Sequence, residues 1–199
     1  MTWLLLIAAY LTGAIPTSFI AGRIRGVDLR RQGSGNLGAT NAFRILGWKA
    51  ATPIFMFDIA KGWFPTACFA LWDGQPAPEW ALAYGAAAIV GPVFSIYVGF
   101  RGGKGVATGA GVYLALAPLA VLVCLLVWLA LVFTTGYVSV ASIAAALVLP
   151  LLVYASRGPG PVLWVGIALA AFVIFAHRSN IRRLRRGEEH RFRRKVVAR

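Results

Sequence analysis

GVATGAGVYLALAPLAVLVCLLVWLALVFTTGYVSVASIAAALVLPLLVYAS, residues Gly105 to Ser156, contains no Asp, Glu, Lys or Arg. A helix needs about 20 residues to cross the hydrocarbon core of a bilayer. The stretch therefore has room for two full spans, broken at Thr134-Thr135-Gly136. Working outward, four further apolar runs appear: Thr2 to Gly22 with a kink at Pro16, Ala50 to Trp72, Trp80 to Phe100, and Pro161 to Ala176. Only 13% of the chain is charged and its mean hydropathy is +0.74, whereas soluble domains carry about 25% charged residues. The pattern predicts an all-α polytopic membrane protein. The first run has no basic residues before it and no small-residue cleavage site, so it reads as a retained span and not a signal peptide. Cys68 and Cys124 lie inside apolar runs without metal-ligand spacing and read as packing residues.

The net charge is +14. Such a balance suits nucleic acid when it covers a polar domain. Here it is confined to short segments, 23–31, 101–104 and 178–195, as cytoplasmic loops are under the positive-inside rule. Nucleic acid is excluded as a partner on that ground. Placing all three segments in the cytoplasm requires an even number of crossings between residues 104 and 178. Three full helices in that interval give an odd number. The count closes if 105–133 enters the membrane, breaks near Pro118 and returns, a geometry tolerated where protein or a watery cavity covers the freed backbone. The expectation is about seven transmembrane segments, five full spans plus two short or re-entrant helices. The N-terminus is then outside and the C-terminus inside. No repeat is visible, and 1–199 reads as one domain. Its basic tail, 178–199, is suited to anionic membrane lipids.

Two polar, glycine-rich loops interrupt the apolar pattern. The first is Gly33-Ser34-Gly35-Asn36-Leu37-Gly38-Ala39-Thr40-Asn41, preceded by Arg23, Arg25, Arg30 and Arg31. The second is Phe100-Arg101-Gly102-Gly103-Lys104-Gly105-Val106-Ala107-Thr108. Phosphate oxygens bind backbone N–H groups, helix N-termini and cations, and glycine lets a backbone approach closely. Gly33, Gly35, Thr40 and Asn41 in the first loop, and Gly102, Gly103, Lys104, Gly105 and Thr108 in the second, are the substrate-binding candidates. The second loop is not a Walker A motif: Gly105 follows the lysine where Ser or Thr belongs.

Three further groups carry polarity into apolar surroundings. His177 ends the last run and shares a helix face with Asn180. It is either an interfacial residue at a helix end or a phosphate-binding or catalytic one. Asp58 and Lys61, three apart within a span, can pair on one face. Charges at that depth are functional candidates by default, and a pair can also be structural, positioning the loops. Ser142 follows the Thr134–Gly136 break, and a re-entrant 105–133 returns it to the cytoplasmic face.

The chain resembles, nearly end to end, the bacterial integral-membrane acyl-phosphate:glycerol-3-phosphate acyltransferases. The likeness rests on Gly-Ala-Ile-Pro-Thr-Ser at 13–18, on Gly33 to Asn41, on Asp58-x-x-Lys61-Gly62, and on Gly102 to Thr108. It extends to His177-Arg178-x-Asn180-Ile181-x-Arg183-Leu184-x-x-Gly187-x-Glu189. It departs at Pro92, where the family usually has histidine, and at Arg101, where lysine is usual. The resemblance implies acyl transfer from a fatty acyl phosphate to the 1-hydroxyl of glycerol 3-phosphate. Lysophosphatidic acid and phosphate are the implied products, with no cofactor, no metal and no acyl-CoA. It implies that Gly102 to Thr108 bind glycerol 3-phosphate. It assigns Ser34, Asn36, Arg44, His177 and Asn180 to catalysis and Glu189 to structure. The implied location is the bacterial inner membrane, with the active site toward the cytoplasm. A site built within one chain is compatible with a monomer.

The chemistry is consistent with this. An acyl phosphate is a mixed anhydride with a good leaving group, so the tasks are to hold two anions together, align a hydroxyl and stabilise an oxyanion. Lys104, Arg44 and loop amides can offset the charge, and Ser34, Asn36, Ser142 or Asn180 can donate to the oxyanion. The base is either His177 or a phosphate oxygen of the substrate. The rival class is a small-anion transporter or channel, against which stand the absence of inverted repeats and polar clusters gathered on one face. A small structural subunit leaves both glycine loops unexplained.

Overall fold

The computed structural model describes residues 1–74 and 77–192, and every regular element among them is helical. The basic tail beyond residue 192 lies outside the described residues. Where the sequence reads as one domain, the chain divides into two compact units, Met1–Pro118 and a second beginning at Leu119.

The first unit holds α1 (Thr2–Ala14), α2 (Thr17–Ile24), α3 (Ala39–Leu46), α4 (Trp48–Phe64), α5 (Ala70–Trp72), α6 (Pro78–Val93) and α7 (Val106–Leu116). A single π-helical turn, Pro65–Phe69, joins α4 to α5 without ending the span. Pro16 has no N–H to continue a helix, and α2 leaves α1 at 43°. The carbonyls freed at this break are taken up by side chains from elsewhere. The Ser95 hydroxyl donates to the Ala14 oxygen at 2.6 Å, and the Lys61 ammonium to the Ile15 oxygen at 3.0 Å.

Lipid offers no hydrophobic drive between helices, so close backbone contact holds them. α7 crosses α4 where a Cβ on Gly111 would overlap the Ile59 carbonyl oxygen, and one on Gly62 the Thr108 carbonyl oxygen. α1 meets α6 in the same manner, at Gly13 and Gly91. A compact apolar cluster of Leu29, Leu37, Ala42, Ala51, Ile54 and Val98 lies under the first glycine loop.

The second unit holds α8 (Pro118–Thr135), α9 (Val138–Arg157), α10 (Pro161–Ala176) and α11 (Arg178–Arg185). The Thr135 hydroxyl accepts the Tyr137 N–H at 3.1 Å at the expected break before α9. α11 turns 51° from α10 at His177.

Four helices among the described residues are long and apolar enough to cross a membrane, or six if each bent pair counts as one. The break near Pro118 is present, but the two pieces are unequal. At 1.5 Å per residue α7 reaches about 16 Å, half a hydrocarbon core, while α8 reaches about 27 Å. Only α7 has the length of a half-helix. Helix α6 also stops earlier than its apolar run: after Val93 the chain turns through a 3₁₀ segment, Ile96–Val98. There Phe100 takes a φ of 60°, its N–H on the Ser95 oxygen at 2.8 Å.

Candidate active site

In the first unit the structure brings both glycine loops together. A Cβ on Gly103 would press on the Leu37 carbonyl oxygen at 2.9 Å. The first loop is shaped from within. Asn41, 1% exposed, accepts the Ser34 N–H at 2.9 Å and donates to the carbonyls of Leu29 and Gln32 at 3.1 and 3.0 Å. Both of its amide hydrogens are thereby committed, which corrects the expectation of a substrate donor there: Asn41 braces the loop. Gly33 and Gly35 take positive φ values, 61° and 70°, and Gly33 has no room for a Cβ beside the Asn41 oxygen. Asp28 closes the basic side of the loop in a pair with Arg30 at 2.8 Å. The hydrogen bonds from Arg30 hold this carboxyl well below the usual carboxylate range.

This bracing leaves a run of backbone amides. Among the described residues, the N–H groups of Asn36, Leu37, Gly38, Ala39 and Thr40 have no acceptor. The last two open α3, whose first turn cannot satisfy them internally. Ser34 precedes the run, Asn36 and Thr40 are its ends and Arg44 lies one turn beyond, all half-buried.

The second loop works differently. Its Gly102 and Gly103 N–H groups turn back to the carbonyls of Val93 and Pro92, at 3.2 and 2.8 Å. They do not form the expected phosphate cradle. Glycine is required there for close approach, since a Cβ on Gly102 would overlap the Pro92 oxygen. Gly105, with a φ of 69°, caps α7. Lys104 precedes it, half-buried, and Thr108 is buried one turn on.

Lys61 and Asp58 form a buried pair at 2.7 Å. Asp58 also accepts the Thr17 hydroxyl at 2.7 Å. Lys61 is 4% exposed, and it lines a small recess with Thr17, Leu37, Ser95, Gly102 and Gly103.

The second unit has its own polar cluster. Glu189, 8% exposed, gathers Ser139 at 3.1 Å, Asn180 at 2.6 Å and Arg183 at 2.7 Å. Burial pushes its carboxyl up; the bonds from Asn180 and Arg183, the Arg183 charge and the Ser139 bond outweigh this, and the net shift is down. The clasp ties α11 to α9. His177, 4% exposed, places Nδ1 at 2.8 Å from the Val173 oxygen. A carbonyl only accepts, so Nδ1 carries the proton and the lone pair of the neutral ring is on Nε2. Ser142 accepts the Trp128 indole N–H at 3.2 Å.

A family model described as glycerol-3-phosphate acyltransferase matches residues 3–187. The chain belongs to this family. Glycerol-3-phosphate acyltransferases of Geobacter sulfurreducens and Aquifex aeolicus are 45% and 41% identical to it. The first alignment covers 92% of this chain and 94% of the relative, the second 94% and 97%. The chain is also similar to the crystal structure of PlsY (YgiH), an integral membrane glycerol 3-phosphate acyltransferase, in its glycerol 3-phosphate form. There the TM-score is 0.91 at 40% identity, covering 96% of both chains. The lysophosphatidic acid form of PlsY gives 0.87 at 38% identity.

Within this family frame the sequence reading did not single out Thr17 or Ser95, and it did not foresee the recess beside Lys61. Thr17 and Ser95 brace the broken first span and line the recess, and Lys61 lines it as well as pairing with Asp58. The Gly-Ala-Ile-Pro-Thr-Ser segment carried the signal: a proline break inside a span frees carbonyls that need donors. Nothing in the sequence said which residues supply them.

Proposed function

We propose that the protein transfers a fatty acyl group from an acyl phosphate to the 1-hydroxyl of sn-glycerol 3-phosphate, releasing lysophosphatidic acid and phosphate. The observation that carries this reading is the meeting of the two glycine loops, which joins an amide run at an α3 N-terminus to a lysine at an α7 N-terminus. Aligned amides and cations at helix starts favour phosphate. Two phosphates held near each other would otherwise repel, and Lys104 and Arg44 offset their charge. Ser34 and Asn36 donate to the oxyanion that forms on the acyl carbon. A phosphate oxygen of the substrate takes the hydroxyl proton. In the second unit, Asn180 is held by Glu189, and His177, with its Nδ1–H on the Val173 oxygen, orients a phosphate by donating the Nε2–H of its imidazolium form. The enzyme acts as a monomer in the bacterial inner membrane, N-terminus outside, site on the cytoplasmic side, among anionic lipids.

The test is phosphate release by purified protein given palmitoyl phosphate and glycerol 3-phosphate. Release that requires both substrates, with lysophosphatidic acid formed, supports the reading. Lys104→Ala lowers kcat/KM about a hundredfold or more. His177→Gln, which hydrogen-bonds but cannot act as a base, keeps turnover within about tenfold; a loss near that of Lys104→Ala makes His177 the base instead. Flux of phosphate across proteoliposomes without product overturns the whole reading in favour of a transporter.

A further inference from the structure

The recess beneath the glycine loops has an uneven supply of hydrogen-bonding groups. The Thr17 hydroxyl donates to Asp58 and the Ser95 hydroxyl to the Ala14 oxygen. The Gly102 and Gly103 amides donate to α6 carbonyls. Both hydroxyl oxygens keep lone pairs but have no hydrogen left to give. Lys61 differs. An ammonium has three hydrogens; Asp58 and the Ile15 oxygen account for two, and no acceptor for the third is found among the described residues. Lys61 lines the recess and its carboxylate partner Asp58 does not.

This balance suits one kind of ligand group. A phosphate offers mainly acceptors and needs a wall of donors, which the amide run at 36–40 provides and this recess does not. A carbinol hydroxyl both accepts and donates, as the recess requires. Leu37 belongs to the amide run and also lines the recess, so the two environments adjoin.

We propose that the recess receives the secondary hydroxyl of the acceptor glycerol phosphate. The third Lys61 hydrogen donates to the hydroxyl oxygen, and Ser95 Oγ accepts the hydrogen bond that this hydroxyl donates. Lys61 and Ser95 are specificity-determining residues that select a polyol phosphate over a simple alkyl phosphate. This rests on the acyl-transfer reading above and adds which part of the acceptor is read, and by what.

The experiment compares sn-glycerol 3-phosphate with 3-hydroxypropyl phosphate, which keeps the acylated primary hydroxyl and lacks only the secondary one. In the wild-type enzyme kcat/KM falls about a hundredfold for the analogue, as a site built to bond a hydroxyl rejects its absence. In Ser95→Ala, and in the paired Asp58→Asn, Lys61→Gln variant, the gap narrows to about threefold or less, because the native substrate has already lost the bond. Equal use of both acceptors by the wild type overturns the proposal without any variant having to fold. A gap that stays at its wild-type size in the folded variants overturns it too, placing Lys61 on the phosphate or in structure alone. Failure to acylate glycerol 3-phosphate at all is a separate result and refutes the acyl-transfer reading itself.

Discussion

The span from Trp48 to Trp72, which contains α4, has a mean hydropathy of 1.3 and 44% of its span-forming window buried. For α8 the values are 2.5 and 17%. Pro78–Val98 and α9 fall between them in the same order. In water the more apolar element goes inside. Here the order is reversed, because lipid tails solvate leucine as well as another helix does. Burial goes instead to helices with small residues and polar side chains. α4 carries Gly62, Asp58 and Lys61; α8 carries Leu119, Leu122 and Leu126, all exposed. Apolar richness marks the lipid-facing wall, and polarity marks the interior.

The comparison can be broken most severely at a glycine contact. Gly111→Leu drives a side chain into the Ile59 carbonyl, and overpacking against backbone costs roughly 3 kcal/mol or more. Size-exclusion chromatography in detergent is expected to show loss of the monodisperse peak. Leu122→Ala on α8 is expected to leave that peak in place, and equal damage from both would abolish the contrast.

The buried pair gives the next largest effect. Lys61→Met strands the Asp58 carboxylate in a buried setting, at a cost of roughly 3–5 kcal/mol. The double variant Asp58→Asn, Lys61→Gln removes both charges and is expected to unfold, in thermal melts, much closer to wild type. If the single and double variants melt alike, the ion pair has no special part in placing α4 inside.

The smallest effect belongs to the second unit. The Glu189 carboxyl is held below its ordinary value of 4.5. Its contribution is therefore complete above pH 4.5 and is lost as pH falls through the lower, folded value. Hydrogen exchange in α11 is expected to be flat from neutral pH down to that range and to accelerate below it, after correction for intrinsic rates. In Glu189→Gln the clasp is weakened at every pH and the acid step disappears. An unchanged acid step in that variant would assign it to another group.

Much of the fold was legible because its signals are local. The N–H missing at Pro16 and at Pro118 marks a helix break wherever the helices pack. Charge density located the spans and the basic segments. The site was legible as composition only. Gly102 and Gly103 were visible as loop glycines, but the direction of their N–H groups depends on the Val93 and Pro92 carbonyls at the end of α6. Asn41 looked like a ligand donor and is a brace, because the carbonyls of Leu29 and Gln32 come round to meet its amide. The use of 105–133 was half legible: its break is local, whereas the unequal lengths of α7 and α8 depend on where Ala117 leaves the helix.

From the residues alone came the membrane as solvent, the helical class, the sites of the breaks and the two loops fit for phosphate. Each follows from hydropathy, charge and backbone chemistry along a short window of chain. Only the tertiary structure decided that the two loops touch, that the carbonyls freed at Pro16 are answered by Ser95 and Lys61, and that Lys61 lines a recess. Those outcomes pair groups distant in sequence, and a hydrogen bond is set by distance and direction in space, which no local window contains.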